Sequence, residues 1–173
     1  VKPFRSRGEG KFAPGDLGAC GARVILEAGV LAFHAGTIFL GDDVYVGHYT
    51  ILHGYHDGPG MRIGAGTWIG PQCYLHSAGG ITIGADVGIG PGVRILTSTH
   101  ADPGRDQPIM AGAIERAPVV IEDGADIGIG AILLPGAHVG KGAQIGAGAV
   151  VSGEVPAFAV AAGVPARVLR SRP

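Results

Sequence analysis

Aliphatic residues recur at every sixth position over the last third of the chain: Ile121, Ile127, Leu133, Val139, Ile145 and Val151. Four places after each stands a small or short side chain, Ala125, Ala131, Ala137, Ala143, Ala149 and Val155. A helix repeats every ~3.6 residues and a lone strand every ~2, so this period fits neither. A short fixed period marks a stacked array, and one with aliphatic, small and Gly positions marks a parallel β-helix. Three hexads then close one triangular coil. The aliphatic residue points into the shaft, the small one fills a corner, and Gly supplies the turns.

The same ladder runs earlier in the chain. Leu40, Val46 and Leu52 take the inward slots, with Val44, Thr50 and His56 expected at the corners. An interruption at 58–62 reads as a short bulging loop. The ladder resumes at Ile63, Ile69 and Leu75, with Thr67, Cys73 and Gly79 following. After a slip at Ile81-Thr82 it continues through Ile83, Ile89 and Ile95, with Val87, Val93 and Thr99. Residues 101–118, rich in Pro and charge, break the period and read as a protruding loop. The expected organisation is an N-terminal cap over 1–22, a β-helix over 23–156 and a tail over 157–173, helical or extended, on the last coil. Covering an end coil meets a general need of stacked arrays.

Composition narrows the function. Gly supplies 33 of 173 residues, far above the usual ~7%, yet 46% of the chain is hydrophobic and Pro numbers only 12, which excludes collagen and disorder. Charged residues are only 16%, which suggests that another copy of the chain covers part of the surface. A net charge of −1 gives no electrostatic footing for nucleic acid. Cys20 and Cys73 form no CxxC, which fits a reducing cytoplasm. No apolar run reaches ~18 residues, so no membrane span is expected.

The register also places histidines. Leu52, Leu75 and Ile95 stack on one face, so His53 and His76 point outward from it, one above the other. His100 closes the Ile95 hexad at the next corner, at the head of the loop. In a cleft beside that loop an imidazole with an ordinary pKa of ~6.5 can serve as general base. His100 is the first candidate, taking the proton of a hydroxyl or amine that attacks a thioester. The blander reading makes His100 a loop cap, and His53 and His76 interface residues. No cysteine is placed as a nucleophile: Cys73 falls in an inward corner slot and Cys20 in the cap.

Three strings carry a resemblance: TSTHADPGRDQPI from Thr97, PVVIEDGADIGIGAILLPGAHVGKGAQIGAGAVV from Pro118, and VPAFAVAAGVPARVLR from Val155. Together they resemble the hexapeptide-repeat acyltransferases, and within them the sugar O-acetyltransferase branch (maltose, galactoside and surface-polysaccharide acetyltransferases). The resemblance implies an all-β, left-handed parallel β-helix and a homotrimer with acetyl-CoA between two shafts. It implies direct transfer to a sugar hydroxyl, no metal, and His100 as catalytic base. Ala131 and Ala147 match family positions that contact the thioester arm, mainly through backbone groups. Gly163, Arg167 and Arg170 are candidates for the nucleotide end of the cofactor, and Asp102 and Arg105 for the acceptor. Two positions depart from the pattern. A frequent family Trp falls at Gly128, and an acceptor-positioning Asn has no match between Gln72 and His76, where His76 is the substitute.

Other readings stay open. An N-acetyltransferase acting on an amino-sugar nucleotide would use the same base and groove. The string GHYTILHG, with His48 and His53, resembles the ligand motif of the gamma carbonic anhydrases, although neither His34 nor His76 falls in register as the third zinc ligand. A non-catalytic scaffold would bind no acetyl-CoA.

Overall fold

The structure is a computed structural model that describes residues 8–173; Lys2, Arg5 and Arg7 of the expected cap lie outside them. The chain winds into a left-handed parallel β-helix with three flat faces. Face A carries Ala19–Cys20, Ile38–Leu40, Met61–Ile63, Ile81–Ile83, Val119–Ile121, His138–Val139 and Glu154–Val155. Face B carries Ile25–Leu26, Tyr45–Val46, Trp68–Ile69, Gly88–Ile89, Asp126–Ile127, Gln144–Ile145 and Ala159–Ala162. Face C carries Leu31–Phe33, Ile51–His53, Tyr74–His76, Arg94–Leu96, Ile132–Leu133 and Val150–Val151. Each strand pairs in parallel with the strand one coil on, and the inward ladder is in register: Leu52 with Leu75, Leu75 with Ile95, Ile95 with Leu133.

Burial follows the hexad. Leu52, Ile69, Leu75, Ile89, Ile95, Ile121, Ile127 and Leu133 are fully enclosed, and so are the corner alanines from Ala125 to Ala149. Full burial of such an aliphatic side chain is worth about 1.5–3 kcal/mol. Thr50 and Thr67 are buried at corner slots without penalty, because their hydroxyls donate to Gly70 O and Gly84 O, at 3.0 and 2.9 Å. Cys73 is buried at another corner slot, as expected, whereas Cys20 lies exposed on the first strand of face A rather than in a cap.

The irregularities gather at one edge. Faces C and A meet at residues 34–37, 54–60, 77–80 and 97–118 in four successive coils. The interruption expected at 58–62 is therefore the corner segment 54–60, with Met61 and Arg62 already in a strand. The slip expected at Ile81-Thr82 sits at 77–80. His56 and Thr99 do not fill corner slots: both are exposed, His56 on the corner segment and Thr99 on a hairpin. That hairpin, Ser98–His100 paired antiparallel with Ile114–Arg116, starts the protrusion a little before residue 101.

At the ends, the parallel ladder begins at Ala19–Cys20, before position 23, and its last rung is Ala159–Ala162, past 156. Ahead of it, Ala32 N–H donates to Gly10 O at 2.8 Å and Leu17 is buried, so the N-terminal segment closes the first coil. The tail is extended: Arg167–Ser171 pairs antiparallel with Ala159–Ala162 around a bulge. No helix among the described residues is long and apolar enough to cross a membrane.

Candidate active site

The C/A corner builds the site. The fourth coil leaves face C after Leu96, and Thr97 turns the chain outward. Its buried hydroxyl donates to His76 O at 2.6 Å and accepts from Gly79 N–H at 2.8 Å. The hairpin that follows places His100 opposite Ile114. His100 is thus off the shaft and half-buried, not at the next corner of its own hexad. Its Nδ1 lies 3.2 Å from Gly112 O. A carbonyl only accepts, so Nδ1 carries the proton and the lone pair is left on Nε2. This is the tautomer a general base requires.

Gly112 is needed for that arrangement. A Cβ there would lie 1.9 Å from Ala101 O, which no backbone contact tolerates. Gly112→Ala must therefore open the loop and move the carbonyl that orients His100. Turnover is expected to fall about 10–10²-fold, the scale of a displacement near 1 Å. The melting temperature should barely change, because no residue from 98 to 116 is buried.

Beside the hairpin, the outward residues of face C form an aromatic cluster. His53 and His76 lie one above the other as the register predicts, their rings edge to face with centroids 5.5 Å apart. Tyr55, from the corner segment 54–60, places its hydroxyl 2.9 Å from His76 Nε2, and Tyr74 OH lies 3.3 Å from His53 Nδ1. His76 Nδ1 is buried with no hydrogen-bond partner. Burial holds both imidazoles below the ordinary histidine range, reinforced at His53 by His76 and His34. At His76 its own peptide group opposes the effect and Arg116 adds to it. Burial likewise raises the Tyr55 and Tyr74 phenols.

These imidazoles link folding to pH. The unfolded chain takes up protons as pH drops through ~6.5, whereas the folded cluster resists protonation. The unfolded state then binds more protons, so the stability present above pH ~6.5 is lost as pH falls toward the lower folded values. Melting temperatures from pH 8 to 5 should decline, and His76→Asn should flatten that slope. An unchanged slope in this variant would exclude the linkage.

The remaining candidates are dispersed. Asp102 makes a local turn, accepting from Gly104 N–H at 2.8 Å, and Arg105 is exposed on the same loop. Ala131 is buried, its N–H donating to Gly128 O and its carbonyl accepting from Arg94 N–H, whereas Ala147 is exposed at the B/C corner. Gly128 is closed to any side chain, since a Cβ would meet Ala147 N at 2.6 Å; the missing Trp there is a requirement of this coil. A groove of about 390 Å³ runs along that corner, lined by Gln72, Pro91, Arg94, Ile129 and Ile132. It lies across face C from the hairpin. Gly163, Arg167 and Arg170 sit at the far end of the shaft, both arginines exposed. His48 faces Ala28 O and Glu27 while His53 faces Tyr74, so the two do not converge; among the described residues no three His, Cys, Asp or Glu side chains form a cation site. Sequence reasoning missed Tyr74, an outward position of the Leu75 hexad, and Tyr55 and Arg116, which belong to no hexad signal.

No protein-family model matches the chain. A hexapeptide-repeat acetyltransferase of Vibrio cholerae, VCA0836, solved with acetyl coenzyme A, superposes with a TM-score of 0.68 and 27% identity over 91% of this chain and 73% of that one. This chain has the fold of the hexapeptide-repeat acyltransferases. Among solved hexapeptide-type neighbours, AntD, an N-acyltransferase of Bacillus cereus in complex with dTDP and 3-hydroxybutyryl-CoA, gives a TM-score of 0.80 at 20% identity, covering 91% of this chain and 85% of that one. A Staphylococcus aureus relative, 2,3,4,5-tetrahydropyridine-2,6-dicarboxylate N-acetyltransferase, is 45% identical over 65 residues, covering 36% of this hexapeptide-repeat chain and 27% of the relative's own length. The chain thus spans well under two thirds of that relative.

Proposed function

We propose that this chain is an acetyl-CoA-dependent acetyltransferase with His100 as general base. The observation that carries the reading is the Nδ1 contact with Gly112 O, which leaves Nε2 free to accept a proton outside the shaft. The acceptor hydroxyl or amine gives its proton to Nε2 while its lone pair forms the new bond to the thioester carbonyl carbon. The C–S bond breaks, and the imidazolium returns the proton to the departing thiolate. Cys73 takes no part, because it is buried and its thiol is held protonated by that burial.

The groove and His100 lie on opposite edges of face C. A complete site therefore joins the groove of one copy to the hairpin of another, which supports a homotrimer with the donor held between shafts. Ile129, exposed on the groove wall, suits the apolar arm of coenzyme A, and Arg94 stands beside it for a phosphate. Residues 163–170 would meet the nucleotide end, and Asp102, Arg105 and His76 the acceptor.

On the acceptor atom, the two N-acyl-type comparators favour an amine over the hydroxyl that the sequence resemblance implies, and the dTDP bound to AntD favours a sugar nucleotide as its carrier. The deciding experiment offers matched sugars and amino sugars, free and nucleotide-linked, with acetyl-CoA, and reads thiol release. An alkali-stable product identifies an amide and an alkali-labile one an ester. Failure of every acceptor in both sets to release thiol would overturn the reading.

A further inference from the structure

We propose that Arg116 is a positioning residue: it pins the hairpin to the shaft and so fixes where the His100 imidazole stands. The inference rests on the role of His100 proposed above. The hairpin is held at its root by Thr97, through His76 O, Gly79 N–H and the bond from Ala117 N–H to Thr97 O at 3.1 Å. Beyond that root it has little to hold it. None of residues 98–116 is buried, so the hairpin has no core of its own. Among the described residues, the hydrogen bond from Arg116 Nη2 to Asp57 Oδ2, at 3.2 Å, is the one that joins 98–116 to the rest of the chain.

The guanidinium also lies over the Tyr55 ring, 5.8 Å from its centroid. Tyr55 is itself tied to His76 on face C. Asp57 answers the same contact, its carboxyl held below the ordinary range chiefly by the bond to Arg116. One arginine thus connects the hairpin to two residues of the corner segment 54–60.

The register makes this contact matter for His100. Arg116 pairs with Ser98, and Ile114 with His100. Residues two apart on a strand share a face of the ribbon, and cross-strand partners share that face too. Arg116 and His100 therefore project from the same side of the hairpin, one diagonal step apart. The clamp fixes the face that carries the imidazole, not a remote part of the loop. An exposed ion pair contributes little to global stability, but a small restraint suffices on a segment otherwise held only at its root.

The test compares Arg116→Gln, Arg116→Lys, Asp57→Asn and the Arg116→Gln/Asp57→Asn pair with His100→Ala, in the full chain with acetyl-CoA and the best acceptor from the screen. Arg116→Gln is expected to lower kcat about 10–10²-fold, with the KM for acetyl-CoA within about threefold and the melting temperature unchanged. Lysine keeps the charge but not the planar guanidinium, so it should restore part of the loss. The double variant should be no worse than Arg116→Gln alone, since both changes break one clamp. Hydrogen exchange should quicken over residues 98–116 and nowhere on the shaft. If Arg116→Gln keeps kcat within twofold while His100→Ala is inactive, the positioning role is overturned and the base assignment survives. If His100→Ala is active, the base assignment falls first.

Discussion

His100→Ala is expected to lower turnover by about 10²–10⁴-fold, the usual contribution of a positioned base, and to leave the fold intact. The imidazole is half-buried on a hairpin without a core, so its removal leaves no cavity in the shaft. His100→Asn is the sharper variant. Its amide can still donate to Gly112 O, which keeps the hairpin ordered, but offers no basic nitrogen. Thiol release and hydrogen exchange separate the two effects: both variants should lose turnover, and His100→Asn should keep the protection of the hairpin. Turnover of His100→Ala near the wild-type value would remove the mechanism and leave the β-helix without an assigned base.

Leu75→Ala should cause a large loss of stability. Leu75 is fully buried, with Leu52 and Ile95 in register on either side. A coil in such an array touches only its neighbours, so the side chain serves two interfaces at once. Truncation removes its transfer energy and leaves a void, costing about 2–5 kcal/mol. For a chain of this size each kcal/mol lowers the melting temperature by roughly 2–4 °C. Ile25→Ala is the control, because Ile25 is 52% exposed on face B of the first coil, and its loss should stay near ~0.5 kcal/mol. Equal effects of the two in thermal melts would mean that the shaft is not packed as the register requires.

Much of this architecture was legible beforehand because inward and outward positions alternate on a fixed count. The slots of Leu52, Leu75, Ile95 and Leu133 follow from that count, and so does the placement of His53 against His76 in the next coil. The count failed at the C/A corner. A hexad rule assigns a slot to His56 and Thr99, but inserted residues carry both away from the shaft. Periodicity cannot describe the path of residues that do not repeat. The same limit hid Tyr55 and Arg116, which lie outside the repeat and carry no signal until the corner segments of successive coils are laid side by side.

The sequence alone determined the column, because an aliphatic side chain every sixth residue can leave water only by facing a common axis. It also singled out His100, by its place where the repeat stops. Tertiary structure alone decided which nitrogen of that imidazole is free, since the answer rests on Gly112 O, brought across by the returning strand. It decided too that the irregular segments of neighbouring coils share one edge, because their stacking is set by the regular strands between them and not by their own residues.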